Sequence, residues 1–152
     1  MADNAVSIDL RQIEGASFAA KAGSNHWVTM DAPSDYGGNG AGTSPIELFL
    51  MGLAGCSGVD VVNILKKKRS KLLDFRMEVR APRGDEHPKV FTKIEIVYHI
   101  YGDVSENQVE KAIALSHEKY CSASAMLKPR VPIEHQIVIH RETEALPEGG
   151  NQ

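Results

Sequence analysis

The chain has 152 residues, 42% of them apolar and 24% charged, and a net charge of −3. This length suits one domain with a real core, and the mildly acidic balance offers no global attraction to nucleic acid or to an anionic membrane surface. The opening MADNAVSIDL lacks the basic and long apolar regions of a secretory signal, so a cytoplasmic location is expected.

Three strand-like runs come first: Val6 to Ile13, Ser17 to Ala20 and His26 to Asp31, divided by turn residues such as Gly15 and Gly23-Ser24-Asn25. The Trp27 strand reads as core or interface. A glycine-rich loop, SDYGGNGAGTSP, follows, and its Gly37-Gly38-Asn39-Gly40 matches no phosphate-binding or dinucleotide pattern. It ends in Ser44-Pro45-Ile46-Glu47, a capping box with proline at the first helical position, which predicts a helix start. The helix is apolar almost all round, from Leu48 to Leu65, and must be buried on most faces. Glu47 and Asp60 interrupt its longest apolar stretch, Pro45 to Val62, which reads as too short and too polar to span a bilayer. Gly52, Gly55 and Gly58 recur every three residues and permit close approach of another backbone. Lys66 to Arg69 closes the helix where its dipole favours cations and reads as a solvated end.

Next, Leu73, Phe75, Met77 and Val79 alternate with Asp74, Arg76, Glu78 and Arg80, the pattern of a half-buried strand. Val90 to Tyr101 is a second strand, and PRGDEHPK between them predicts a hairpin. Ser105 and Gln108 form another capping box, with Val104 and Val109 placed as a hydrophobic staple for an amphipathic helix. A short helix is expected over Cys121 to Leu127, a last strand over Ile133 to His140, and a fraying tail over 141–152. The order β-β-β-α-β-β-α-α-β is that of one α+β domain over 1–140. A helix apolar on every side is hard to bury against one small sheet, so an intertwined homodimer with central helices packed between antiparallel sheets is the expected architecture.

The two cysteines, Cys56 in GLAGCSGVDVV and Cys121 in EKYCSASAML, carry the candidate chemistry. In a reducing compartment such thiols are buried residues, metal ligands or redox groups rather than a stabilising disulfide. Cys56 sits about three turns into the helix, beyond the reach of its N-terminal dipole. Asp60, four residues on, would disfavour a thiolate there. His117 and Cys121 have a spacing that can place two metal ligands on one helix face, but no second pair of ligands stands out and no metal is assigned. His99 and His135 read as half-exposed sheet residues. Two thiols in separate apolar segments suit a peroxidatic and a resolving cysteine, the first oxidised to a sulfenic acid that condenses with the second.

The segments YGGNGAGT, SPIELFLMGLAGCSGVDVV and EKYCSASAMLKPRVPIEHQIVIH resemble the OsmC/Ohr family, osmotically inducible protein C and organic hydroperoxide resistance proteins, and most of all its YhfA-like branch. The resemblance runs from about Gly15 to His140. It implies a swapped homodimer with active sites at the subunit interface. It also implies thiol-dependent reduction of small organic hydroperoxides, with Cys56 peroxidatic, Cys121 resolving, no cofactor, and a dithiol such as a lipoyl group or thioredoxin restoring the pair. The same family pattern has an arginine in the early strands and a glutamate ten residues before the first cysteine. Here that position holds Ile46, with Glu47 one residue later, and EGASFAAKAG contains no arginine. Glu47 and Asp60 are therefore carried only as possible supporting residues. The rival expectation is a non-catalytic or repurposed dimer that binds a small ligand or carries sulfur.

Overall fold

The computed structural model describes residues 4–141; the expected tail beyond Arg141 lies outside the described residues. They fall into two compact units whose boundary lies inside one helix, between Met51 and Gly52.

The first unit holds an antiparallel sheet in the order β1 (Asp9–Glu14), β2 (Ser17–Lys21), β3 (Val28–Asp31). β2 begins at the expected Ser17, while β1 and β3 begin later than Val6 and His26, β1 because Val6 and Ile8 pair with no strand among the described residues. Ser17, Ala20 and Asp31 are its buried residues, while Leu10, Ile13, Trp27 and Val28 stay exposed. Trp27 is therefore not core within the chain. Arg11 and Lys21 lie over its ring, 5.3 and 5.1 Å from the centroid.

The glycine-rich loop is organised by one carboxylate. Asp31 accepts hydrogen bonds from Ser17 Oγ and from the backbone N–H groups of Ala32, Asn39 and Ala41, each at 2.8 Å. The Ala41 bond, and then those of Asn39, Ser17 and Ala32, hold its carboxyl below the ordinary carboxylate range. The loop passes so near β3 that a Cβ on Gly38 would run into the Ala32 carbonyl. Only glycine fits there.

Helix α1 (Pro45–Lys67) starts where the capping box placed it. Glu47 N–H donates to Ser44 Oγ at 3.4 Å, and Glu47 Oε2 accepts from Ser44 N at 2.9 Å, Ser44 Oγ at 2.8 Å and Thr43 Oγ1 at 2.7 Å. The helix is 23 residues long and, by length and composition, apolar enough to cross a membrane. It ends at Lys67, within the basic run Lys66 to Arg69 expected to close it. In the second unit, Leu53, Ser57, Gly58, Val61 and Leu65 make one face of it core. Its other faces are open: Met51 is 54% and Val59 61% exposed. Lys66 to Arg69 are exposed, as expected of a solvated end.

The second unit continues with β4 (Lys71–Arg80), β5 (Ile94–Asp103), α2 (Glu106–Leu115), α3 (Ser122–Leu127) and β6 (Ile133–His140). β4 and β5 form the expected antiparallel pair, but β6 runs parallel to β5, making this sheet mixed rather than antiparallel throughout. The helices between β5 and β6 supply the crossover that a parallel pair requires. β5 starts at Ile94 rather than Val90 because residues 82–92 bond among themselves: Gly84 N–H donates to Val90 O, and Thr92 N–H to Pro82 O, both at 2.9 Å. Ile94, Ile96, Tyr98 and Ile100 on the inner face of β5 pack with Val104, Val109, Ala112 and Ile113 in a core at most 1% exposed. Burial of Val104 and Val109 places the staple inside it, and Ser105 Oγ caps α2 by accepting from Gln108 N at 3.3 Å.

Candidate functional site

Cys56 projects from α1 and is half-buried; Cys121 is 2% exposed. Both belong to the second unit, and the fold brings them near enough for Cys56 to act on the Cys121 thiol. Burial pushes the Cys121 thiol up, and Cys56 pushes the same way, while Ser124 opposes.

Cys121 is not inside a helix. The turn Ser116–Tyr120 widens so that Cys121 N–H donates to Ser116 O five residues back, at 2.8 Å. Cys121 itself is extended and caps α3, its sulfur accepting from Ser124 N–H at 3.4 Å. The four-residue spacing of His117 and Cys121 therefore does not lie along one regular helix. No cluster of three or more metal-ligating side chains occurs among the described residues.

His117 instead faces the sheet. Its Nε2 lies 3.0 Å from Tyr98 OH, and its ring stacks on His135 at 6.1 Å between centroids. His135 is also 3.3 Å from Glu110. Burial, and then His135 and Lys128, hold His117 below the ordinary histidine value, so it is neutral near pH 7. His99 lies on the outer face of β5, stacked on His140 and 3.3 Å from Glu78.

Asp60 accepts a hydrogen bond from Ser116 Oγ at 3.1 Å. Glu47, in the first unit, is occupied as a cap; Thr43 and then Ser44 hold its carboxyl below the ordinary range. Three residues absent from the sequence reading share the neighbourhood of the thiols: Ser57, Tyr98 and Ser116, all fully buried. Ser57, set among small and apolar residues, was the available signal, since a buried hydroxyl requires a partner.

The OsmC-like protein family model matches residues 37–136. Protein YhfA of Escherichia coli K12 is 38% identical over 131 residues, 86% of this chain and 95% of that protein. A hypothetical protein from Aquifex aeolicus shares the architecture with a TM-score of 0.81 and 35% identity, over 91% of this chain and 98% of that one. An organic hydroperoxide resistance protein OsmC from Legionella pneumophila superposes with a TM-score of 0.63 at 19% identity, over 90% of this chain and 98% of that one. The chain belongs to the OsmC-like protein family and is a YhfA-like member of it.

Proposed function

We propose that this protein reduces small organic hydroperoxides through its two thiols, as part of oxidative-stress defence. Cys56, the more accessible, attacks the peroxide oxygen, releases the alcohol and becomes a sulfenic acid; Cys121 condenses with it, releasing water and closing a disulfide. A dithiol of the lipoyl or thioredoxin type then returns both to thiols. The observation that carries this reading is the meeting of a half-buried and a buried thiol, drawn from distant segments, in a protein of this family. Asp60 is a possible supporting residue that holds Ser116, and Glu47 one that fixes the start of α1.

The same reading includes a cytoplasmic homodimer. Support comes from apolar surface left exposed on each unit. In the first unit this is Leu10, Ile13, Trp27 and Val28; in the second it is an open groove of about 480 Å³ on α1 and β4, lined by Gly55, Gly58, Val59, Val62, Phe75 and Met77. Such faces mark interaction surfaces.

A second reading, a repurposed member that binds a small ligand or carries sulfur, is favoured by one observation. The groups acting on the Cys121 thiol are its burial, Ser124 and Cys56, with no cation among them. Turnover of cumene and tert-butyl hydroperoxides with a dithiol reductant separates the two. Dithiol-dependent consumption that disappears in Cys56→Ser supports the peroxidase, and an inert wild type with reduced, accessible Cys56 supports the alternative.

A further inference from the structure

Cys56 lies near enough to act on the Cys121 thiol, yet the two come from segments distant in sequence. Those segments are held against each other by hydrogen bonds centred on Ser116, the first residue of the wide turn after α2. Ser116 Oγ donates to Asp60 Oδ2 at 3.1 Å and lies 3.4 Å from Ser57 Oγ. Both partners stand on α1: Ser57 is the residue after Cys56, and Asp60 is about one turn further on. The Ser116 carbonyl accepts from Cys121 N–H at 2.8 Å. One residue thus grips the helix of the first thiol with its side chain and the backbone of the second with its main chain.

Both ends of this grip are themselves anchored. Ser57 Oγ is 2.6 Å from Tyr98 OH, a bond that opposes rotation of α1 about its axis where Cys56 projects. The wide turn is clamped one residue on: His117 Nε2 lies 3.0 Å from Tyr98 OH, and Lys128 Nζ donates to His117 O at 2.8 Å. The Cys121 sulfur accepts from Ser124 N–H at 3.4 Å. Ser116, Ser57 and Tyr98 are all fully buried. A buried hydroxyl adds little net stability over an apolar side chain, because its hydration is lost as its bond is made. An alanine in place of Ser116 would avoid that cost. The hydroxyl supplies direction instead, since a satisfied buried network fixes one arrangement of the elements it joins.

We propose that Ser116 is a positioning residue for the thiol pair, holding Cys121 at the place and angle from which it closes a disulfide with Cys56. This rests on the reading of Cys121 as the resolving thiol. A disulfide tolerates only a narrow range of Cβ separation and dihedral angle. A displacement of about 1 Å in a reacting group can cost about a hundredfold in rate. The wide turn makes this point a sensitive one. Cys121 N–H bonds five residues back, so the direction of Cys121 is set by Ser116 and not by a regular helix.

The closing step balances. The Cys121 sulfur bonds to the Cys56 sulfenic sulfur, and the Cys56 S–O bond breaks with its electron pair on oxygen. The thiol proton of Cys121 is lost to solvent, a solvent proton neutralises the departing hydroxide, and one water is the net product. The Cys121 sulfur is oxidised and the sulfenic sulfur reduced. Ser116 exchanges no proton in this step; it acts only through where it holds Cys121.

Ring closure can be read without peroxide. One equivalent of an aromatic disulfide reagent with a coloured thiolate leaving group loads Cys56 and gives a first release. Cys121 then displaces the second coloured thiolate, a release that Cys121→Ser abolishes. The rate of the second release divided by that of the first reports how well the two sulfurs are placed. Ser116→Ala should lower this ratio at least about tenfold. Asp60→Ala should lower it further than Asp60→Asn, since both lose the charge and only asparagine keeps an accepting oxygen. Lost stability alone would not do this: Val104→Ala, in the core at the opposite end of α2, should keep the wild-type ratio. Should Ser116→Ala fail to fold, the two Asp60 variants decide. A wild-type ratio in Ser116→Ala, or equal ratios in the two Asp60 variants, would overturn the role of Ser116. No second release from the wild type would remove Cys121 as resolving thiol, and the role of Ser116 with it. Ser116-dependent closure in a protein that consumes no hydroperoxide keeps the positioning role and loses the peroxidase reading.

Discussion

Ser57 and Tyr98 are joined by a 2.6 Å hydrogen bond between two fully buried hydroxyls, one on α1 and the other on β5. Tyr98→Phe keeps the ring and its packing but strips Ser57 of its short partner, leaving Ser116 at 3.4 Å. A buried hydroxyl left short of a partner costs about 1–3 kcal/mol, and urea denaturation should read a loss of that size. The pH dependence should change as well. Burial pushes the Tyr98 phenol from 10.0 up to about 12. Between those values the unfolded chain has released a proton that the folded chain keeps, so stability falls as pH rises through that window. Tyr98→Phe should remove this part of the alkaline loss.

Glu47 presents one carboxylate oxygen to three donors and its own N–H to Ser44. A glutamine retains an accepting oxygen, so Glu47→Gln should change Tm little, whereas Glu47→Ala should lower it clearly. Because the folded carboxyl is held below its ordinary value, the charged cap's contribution is complete above the unfolded value. It is lost as pH falls through the folded one. Thermal melts of the three proteins from acid to neutral pH check this. A collapse of hydroperoxide turnover in Glu47→Gln with Tm preserved would make the carboxylate part of the chemistry.

Asp31 gathers four donors, three of them on Oδ2. In Asp31→Asn an amide NH₂ must face donors or the oxygen must abandon some of them. Hydrogen exchange at Asn39 and Ala41 N–H should accelerate by at least about tenfold, a change of about 1.4 kcal/mol or more in local opening. In the wild type the same amides should hold their protection down through the ordinary carboxylate range. They should lose it below that range, as the depressed folded pKa is crossed.

Gly55 and Gly58 differ in what surrounds them. A Cβ on Gly58 would meet Met77 Sδ at 3.2 Å and Phe75 at 3.4 Å, while one on Gly55 meets nothing within 4 Å among the described residues. In an isolated chain Gly55→Ala should therefore stabilise α1 by about 0.5–1 kcal/mol through helix propensity. If the groove at this face holds a second copy, the same substitution should weaken association. Sedimentation should give a wild-type dimer at micromolar concentration and a shift toward monomer in Gly55→Ala. A wild-type monomer would remove the dimer from the account.

Local signals were legible where a short-range rule applies. The two capping boxes, at Ser44 and Ser105, mark the starts of α1 and α2, and the alternation from Ile133 to His140 marks β6 to the residue. Strand direction was not legible, because alternation describes the faces of β6 and not its sense against β5. The four-residue interval from His117 to Cys121 implies a helical face only while the helix is regular, and the wide turn after Leu115 breaks that regularity. Tyr98 looked like any apolar residue on an inward-facing strand. Its hydrogen bonds go to the Ser57 hydroxyl on α1 and the His117 imidazole on the turn after α2, partners that sequence distance conceals.

The central claim, that Cys56 and Cys121 act as a peroxidatic and resolving pair, is tested most directly by intact-mass analysis after one equivalent of an organic hydroperoxide. The account predicts that the wild type loses two hydrogens as an internal disulfide forms, and that a dithiol restores the original mass. Cys121→Ser should stop at a Cys56 sulfenic acid that a sulfenic-acid trap captures, and Cys56→Ser should remain unchanged. A wild type whose mass does not change, or a Cys56→Ser protein oxidised as fast as the wild type, would contradict it.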